Sequence, residues 1–89
     1  MNLFFYSNDQ KKCERCDDQG FVLSYARTKD GNIRTYSFDV DLGLPVVDYF
    51  VNYYNVTEVP VTVFGDHVYR GFLSTEEVDV IVGDFEKDS

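Results

Sequence analysis

The chain has no tryptophan and only one histidine, two prolines and two cysteines in its 89 residues, and each shortage narrows what it can do. A tetrahedral zinc site needs four ligands. Cys13, Cys16 and His67 exhaust the cysteines and histidines, so one chain cannot complete such a site from these residue types. Two cysteines allow one disulfide at most. A bridge across two intervening residues closes so small a loop that it restrains little of the unfolded chain, which makes a structural staple a poor explanation. Basic residues are also scarce. Lys and Arg number 8 against 16 Asp and Glu, a formal net charge of −8, and a phosphate backbone is not expected as a partner. No apolar run approaches the roughly 20 residues that span a bilayer. The opening MNLFFYSND is too short and too uncharged at its start for a signal peptide. The expectation is a soluble domain without membrane contact.

What the chain has in quantity is core-forming residues: 44% hydrophobic and 17% aromatic. That is ample for one packed interior and argues against disorder. At this length residues 1–89 read as a single domain, without internal repeat, linker or low-complexity segment.

NLFFYS (2–7) is a short apolar run ending in Ser7 and Asn8, as for a buried strand followed by a loop. Beyond the cysteines, Asp17 and Asp18 suit a helix first turn, and Val22, Leu23 and Ala26 can face inward until Asp30-Gly31. NIRTYSFDVD (32–41) has the composition of a second strand, with Arg34 and Thr35 placing it near a sheet edge. Pro45 fits a helix first turn, and Val46, Val47, Phe50, Val51 and Tyr54 give helical periodicity over about Leu44 to Asn55. VTVF (61–64) and HVYRGF (67–72) flank Gly65-Asp66, a hairpin signal in which Gly65 accepts the positive φ. Ser74-Thr75-Glu76-Glu77 forms a capping box ahead of Val78, Ile81, Val82 and Phe85. The expected fold is therefore α/β, β-α-β-α-β-β-α. A right-handed crossover makes the first two strands parallel, and three helices pack on a four-stranded mixed sheet of order 2-1-3-4.

A Cys-x-x-Cys pair between a strand and a helix has an electrostatic consequence. Cys13 is expected beside the unpaired amides of the helix N-terminus, which stabilise its thiolate and lower its pKa. Cys16 is one turn on, more covered by the helix, and placed to attack a mixed disulfide formed at Cys13. Lys11, Lys12 and Arg15 favour that thiolate, whereas Glu14, Asp17 and Asp18 oppose it. The competing readings are a metal or iron–sulfur cluster held between two protomers that pool their cysteines, a domain that docks a partner without redox turnover, and a pair of inert buried thiols.

FFYS, then Cys13-Glu14-Arg15-Cys16, then YNVTEVPVTVFGDHVYRGFLSTEEV resemble the thioredoxin superfamily across nearly the whole chain. Tyr54, Val56, Pro60 and Gly71 occupy that family's places around its cis-proline strand and final helix. The resemblance implies that Cys13 is the nucleophile, Cys16 the resolving thiol, and the two a redox-active disulfide. It also implies a cis Val59-Pro60 bond facing the cysteines, where the Val59 backbone binds an extended peptide or thiol substrate. In length the chain is similar to glutaredoxin; in its later motif it is similar to thioredoxin. It departs from both. No Trp precedes Cys13, no Gly-Pro separates the cysteines, and Arg70-Gly71 stands where a glutaredoxin has two glycines. The loop from Ser7 to Cys13 is about two residues longer than glutaredoxin's. The first strand lacks the buried acid of many thioredoxins, which leaves Glu58 or Asp39 for proton handling.

The function expected is thiol–disulfide oxidoreductase chemistry serving electron transport and cell redox homeostasis. Its partners are protein disulfides and dithiols or a reductase, with glutathione as a reductant or co-substrate, no other cofactor and no bound metal. A monomer is expected, in the cytoplasm, or outside it if the domain is cut from a longer chain. His67 reads as an exposed hairpin residue, and Tyr49, Tyr53 and Tyr54 as a helix face. Lys11 and Lys12 can meet a glutathione carboxylate or simply be solvated. Asn55-Val56-Thr57, although a glycosylation pattern, sits badly beside Pro60 for a sugar.

Overall fold

A computed structural model describes residues 2–29, 31 and 33–87, with side chains to residue 84. Its organising element is β1 (Asn2–Tyr6), which lies inside the sheet and is covered on both faces. A strand in that position must be apolar on both sides, and NLFFY is. Leu3 and Phe5 point to one face and pack with Val61 and Val63. Phe4 points to the other, where Leu23, Ala26, Phe64, Leu73 and Val78 close around it.

Five further elements follow it: α1 (Cys16–Lys29), β2 (Thr35–Asp39), α2 (Pro45–Tyr53) and the hairpin of β3 (Val61–Phe64) with β4 (His67–Arg70). The chain ends in α3 (Thr75–Lys87). The sheet order is β2-β1-β3-β4. β1 pairs with β2 in parallel and with β3 antiparallel, and β3 pairs antiparallel with β4. This is the four-stranded mixed sheet with three helices expected from the sequence. α2 covers one face through Phe50 and Val51, together with Tyr54 just past its end. α1 and α3 cover the other through Leu23, Ala26 and Val78. No helix of the described residues is long and apolar enough to cross a membrane.

Element ends follow local chemistry. The β3–β4 turn uses Gly65 at φ 61°. At the start of α3 the Ser74 hydroxyl accepts the Glu77 amide and the Glu77 carboxylate accepts the Ser74 amide, both at 3.2 Å, so two orphan donors are satisfied reciprocally. α2 stops sooner than its periodicity suggests. Asn55 takes a left-handed φ of 53°, its amide donates to Asn52 O and the Val56 amide to Val51 O at 2.8 Å. These two bonds form a Schellman stop. The Arg70 guanidinium donates to Asn55 O at 2.8 Å and Tyr54 O at 3.2 Å, carbonyls that the end of the helix leaves without intrahelical donors. β2 is also shorter than the expected 32–41. The Asp39 carboxylate accepts the Asp41 amide at 2.9 Å and turns the chain. The expected roles of Asp30, Asn32 and the Phe85 side chain lie outside the described residues.

Gln19 is the one fully buried amide of α1. It donates to Leu73 O at 3.1 Å and accepts from Leu73 N–H at 2.6 Å, so both backbone groups of a buried residue in the segment before α3 are satisfied by one side chain. Gln19→Leu keeps a similar volume but leaves both Leu73 groups unpaired. The expected loss of stability is about 2 to 5 kcal/mol at an unchanged urea m-value. Urea unfolding followed by circular dichroism checks it, and a loss below about 1 kcal/mol would show that the segment is held by other means.

Candidate functional site

The cysteines lie in and just after the loop that leaves β1. Asp9 organises it: its carbonyl accepts the amides of Lys12 and Cys13, both at 2.9 Å, and its carboxylate accepts the Lys11 amide at 3.0 Å. The Asp9 amide donates to the Ser7 hydroxyl at 3.1 Å. Ser7 in turn donates to the Asp41 carboxylate, whose other oxygen accepts Lys12 Nζ at 2.5 Å. Asp41 thus ties the cysteine loop at both ends to the turn after β2.

Cys13 and Cys16 form a disulfide with Cα atoms 5.5 Å apart. α1 begins at Cys16, and Gln19 N–H bonds Arg15 O at 2.9 Å as its first turn closes. Cys13 therefore stands in the loop ahead of the helix, while Cys16 is its first residue. Both sulfur-bearing residues are buried, and their exposure is nearly equal. Exposure is 5% for Cys13 and 4% for Cys16, because the Asp9 turn wraps Cys13 while Cys16 packs under α1.

Two of the three cations near the sulfurs are engaged, while Lys11 joins no ion pair among the described residues. Lys12 is paired with Asp41, and Arg15 with Asp18 at 3.1 Å. The Arg15 guanidinium also lies 3.9 Å above the centre of the Phe72 ring, so the dipeptide between the cysteines is tied to the segment before α3. The Lys12 hydrogen bond, then that of Ser7, holds the Asp41 carboxyl below its usual range, and Asp41 holds the Lys12 ammonium above its own. The sequence offers these charges to a Cys13 thiolate; the fold offsets Lys12 and Arg15 locally.

The Val59-Pro60 peptide bond is cis. Pro60 is buried, and its carbonyl accepts the Gly71 amide at 2.9 Å, with Gly71 at φ 88°. Lys12 of the cysteine loop lines one cavity of about 480 Å³ together with Val40, Val56, Glu58 and Val59. The loop and the residue before Pro60 are therefore neighbours. On the other side of the loop, Cys16 lines a groove with Tyr6, Asn8 and Ser37. Asn8 donates to the Asp39 carboxylate at 3.0 Å, so buried Asp39 reaches the cysteine loop through Asn8. Glu58 is exposed on the Lys12 side. His67 is exposed on the hairpin, and among the described residues no three His, Cys, Asp or Glu side chains gather as a metal-ligand set.

Ser7, Gln19 and Asp41 had no signal in the sequence. Their partners stand 34, 54 and 29 residues away, beyond any local pattern.

No protein-family model matches the chain, and no curated protein does. Among solved structures, one described as the structure of a malarial protein superposes with a TM-score of 0.73 at 13% identity. The match covers 94% of this chain and 93% of that one. Likeness at that identity shows a shared compact α/β fold and leaves function to the site.

The Asp41 tether has a defined pH range. The depressed Asp41 carboxyl adds stability that is present above its unfolded pKa, near 3.8, and is lost as pH falls through the lower folded value. The raised Lys12 ammonium adds stability present below 10.5 and lost as pH rises through its folded value. Asp41→Asn is expected to flatten the acid limb of the stability–pH profile and to speed hydrogen exchange of the Lys12 and Cys13 amides at neutral pH. Unchanged exchange would show that the loop holds its shape without Asp41.

Proposed function

We propose that the chain is a thiol–disulfide oxidoreductase of the thioredoxin superfamily, in which Cys13 exchanges with substrates and Cys16 resolves. The observation that carries the reading is a Cys13–Cys16 disulfide at the N-terminal turn of α1, with the cysteine loop beside the segment that leads to Pro60.

The chemistry follows from the two positions. In the reduced form the Cys13 thiolate attacks one sulfur of a substrate disulfide. A Cys13–substrate bond forms, the substrate S–S bond breaks, and one substrate thiolate leaves. Cys16 then loses its proton and attacks Cys13 Sγ, releasing the second thiolate and regenerating the intramolecular disulfide. Two electrons pass from the dithiol to the substrate. A dithiol reductase or two molecules of glutathione restore the reduced form by the reverse exchange. The opening amides of α1, which lack intrahelical partners, favour the thiolate at this turn. Asp39, linked to the loop through Asn8, is the acid assigned to take the Cys16 proton. Because Cys13 is in the loop and Cys16 in the helix, release of the Asp9–Asp41 turn uncovers Cys13 first. Val59 and Pro60 form the platform beside it, where the Val59 backbone pairs with an extended substrate.

The two serine variants should fail differently. Cys16→Ser should start exchange, stop halfway and accumulate a covalent substrate complex that dithiothreitol releases; Cys13→Ser should trap little. Mass spectrometry of the trapped species reads the difference. Equal trapping by both variants would remove the assigned roles and favour a cysteine pair shared between protomers.

A further inference from the structure

β2 has β1 on one side and no described strand on the other. Asn2 N–H donates to Arg34 O and Val40 N–H to Tyr6 O, which sets the strand's parity. Even-numbered residues turn their backbone groups toward β1, so Thr35, Ser37 and Asp39 turn theirs outward. Among the described residues, one backbone bond uses that outward row: Leu42 N–H reaches Asp39 O at 3.4 Å. Edges are usually blunted by Lys, Pro or a bulge. The opposite edge, β4, carries His67 and Arg70, whereas TYSFD has no such device apart from its shortness and Asp39.

Both faces beside this edge are unfinished. On the α2 face Tyr36 is 51% exposed. On the α1 face Arg27 lines a groove with Thr35 and Ser37 and joins no ion pair among the described residues. Asp39 is buried on that same face, where it accepts only from Asn8 and the Asp41 amide, again without an ion-pair partner among the described residues.

We propose that two copies of the chain pair antiparallel through β2, with Ser37 of each on the two-fold axis. This register pairs the whole strand. Ser37 meets Ser37 and Thr35 meets Asp39 of the second copy, so outward N–H groups face outward C=O groups. Tyr36 falls opposite Phe38 of the second copy, an aromatic cross-strand pair that covers its exposed ring. Asp39 of the second copy arrives beside Thr35, on the face where Arg27 lies, which brings together a carboxylate and a guanidinium that have no ion-pair partner among the described residues. This dimer takes the place of the monomer expected from the sequence; it leaves the cysteines and the Val59–Pro60 segment outside the seam and shares Asp39 with the proposed exchange chemistry. A seam this short buries less than the roughly 1,200 Å² of a standard interface, so the association is weak and reversible. With a net charge of −8 on each copy, added salt strengthens it by screening their repulsion.

Sedimentation equilibrium of the oxidised chain tests this, with salt raised from about 0.01 to 0.15 M, where the Debye length falls from ~30 to ~8 Å. The dimer fraction should rise with protein concentration and with salt. Ser37→Lys places two ammonium groups together on the axis and should lower the association constant at least about tenfold, while His67→Lys on the opposite edge leaves it unchanged. Should Ser37→Lys fail to fold, Ser37→Cys on the oxidised chain serves instead. It should cross-link to its own copy, since the paired Cα atoms stand about 5.5 Å apart, within disulfide reach. A chain that stays monomeric at millimolar concentration, a dimer indifferent to Ser37→Lys, or one equally weakened by His67→Lys would overturn the proposal.

Discussion

A side-chain amide sealed from water must find partners inside the protein or destabilise it. Gln19 finds both of its partners in the backbone of Leu73, and much of the molecule is arranged around that pair. Gln19 is one turn into α1, so fixing it fixes Cys16 three residues earlier. Leu73 belongs to the short segment between β4 and α3, and that segment carries three other attachments. Gly71 bonds Pro60, Phe72 receives the Arg15 guanidinium, and Ser74 opens α3 through its exchange with Glu77. The cysteine helix, the residue after Val59 and the start of the last helix are thereby referred to one buried contact.

The cysteine loop is governed differently. Its ties are partly exposed and charged: Lys12 and Ser7 to Asp41, with Asp9 folding the turn on itself. Such contacts contribute little to global stability, but they decide how often a small segment opens. The separation suits the proposed chemistry. Cys16 is held by the core, whereas Cys13 is held by a loop that can yield to a substrate without disturbing the sheet. Pairing Lys12 with Asp41 and Arg15 with Asp18 also offsets two of the three cations nearest the cysteines.

The fold was legible where the signal is local. NLFFY declares a strand buried on both sides, Gly65-Asp66 a hairpin, Ser74 to Glu77 a helix start, and the parallel crossover then orders the sheet. What the sequence hid depends on partners set by tertiary packing. The stop of α2 needed Asn55 to leave the helix and Arg70 to cap it from β4, while periodicity alone carried the helix to Asn55. Gln19 reads as an ordinary helix residue until Leu73 is seen 54 residues away. Asp41 is one of many acids in an acidic chain, and only the turn after Asp39 brings it to Lys12. The cysteine spacing pointed to the bonded pair, yet not to its cover, because the Cys13 amide is held by the Asp9 carbonyl in a turn the spacing does not encode.

The central claim is that Cys13 is the sulfur activated for exchange. The most direct test is alkylation of the fully reduced chain from about pH 5 to 9, with the two cysteines followed separately by mass spectrometry. The account predicts that Cys13 is labelled first, with an apparent pKa below the reference of about 8.5 for a free thiol. Earlier labelling of Cys16, or two thiols that both titrate at or above that reference, would contradict it.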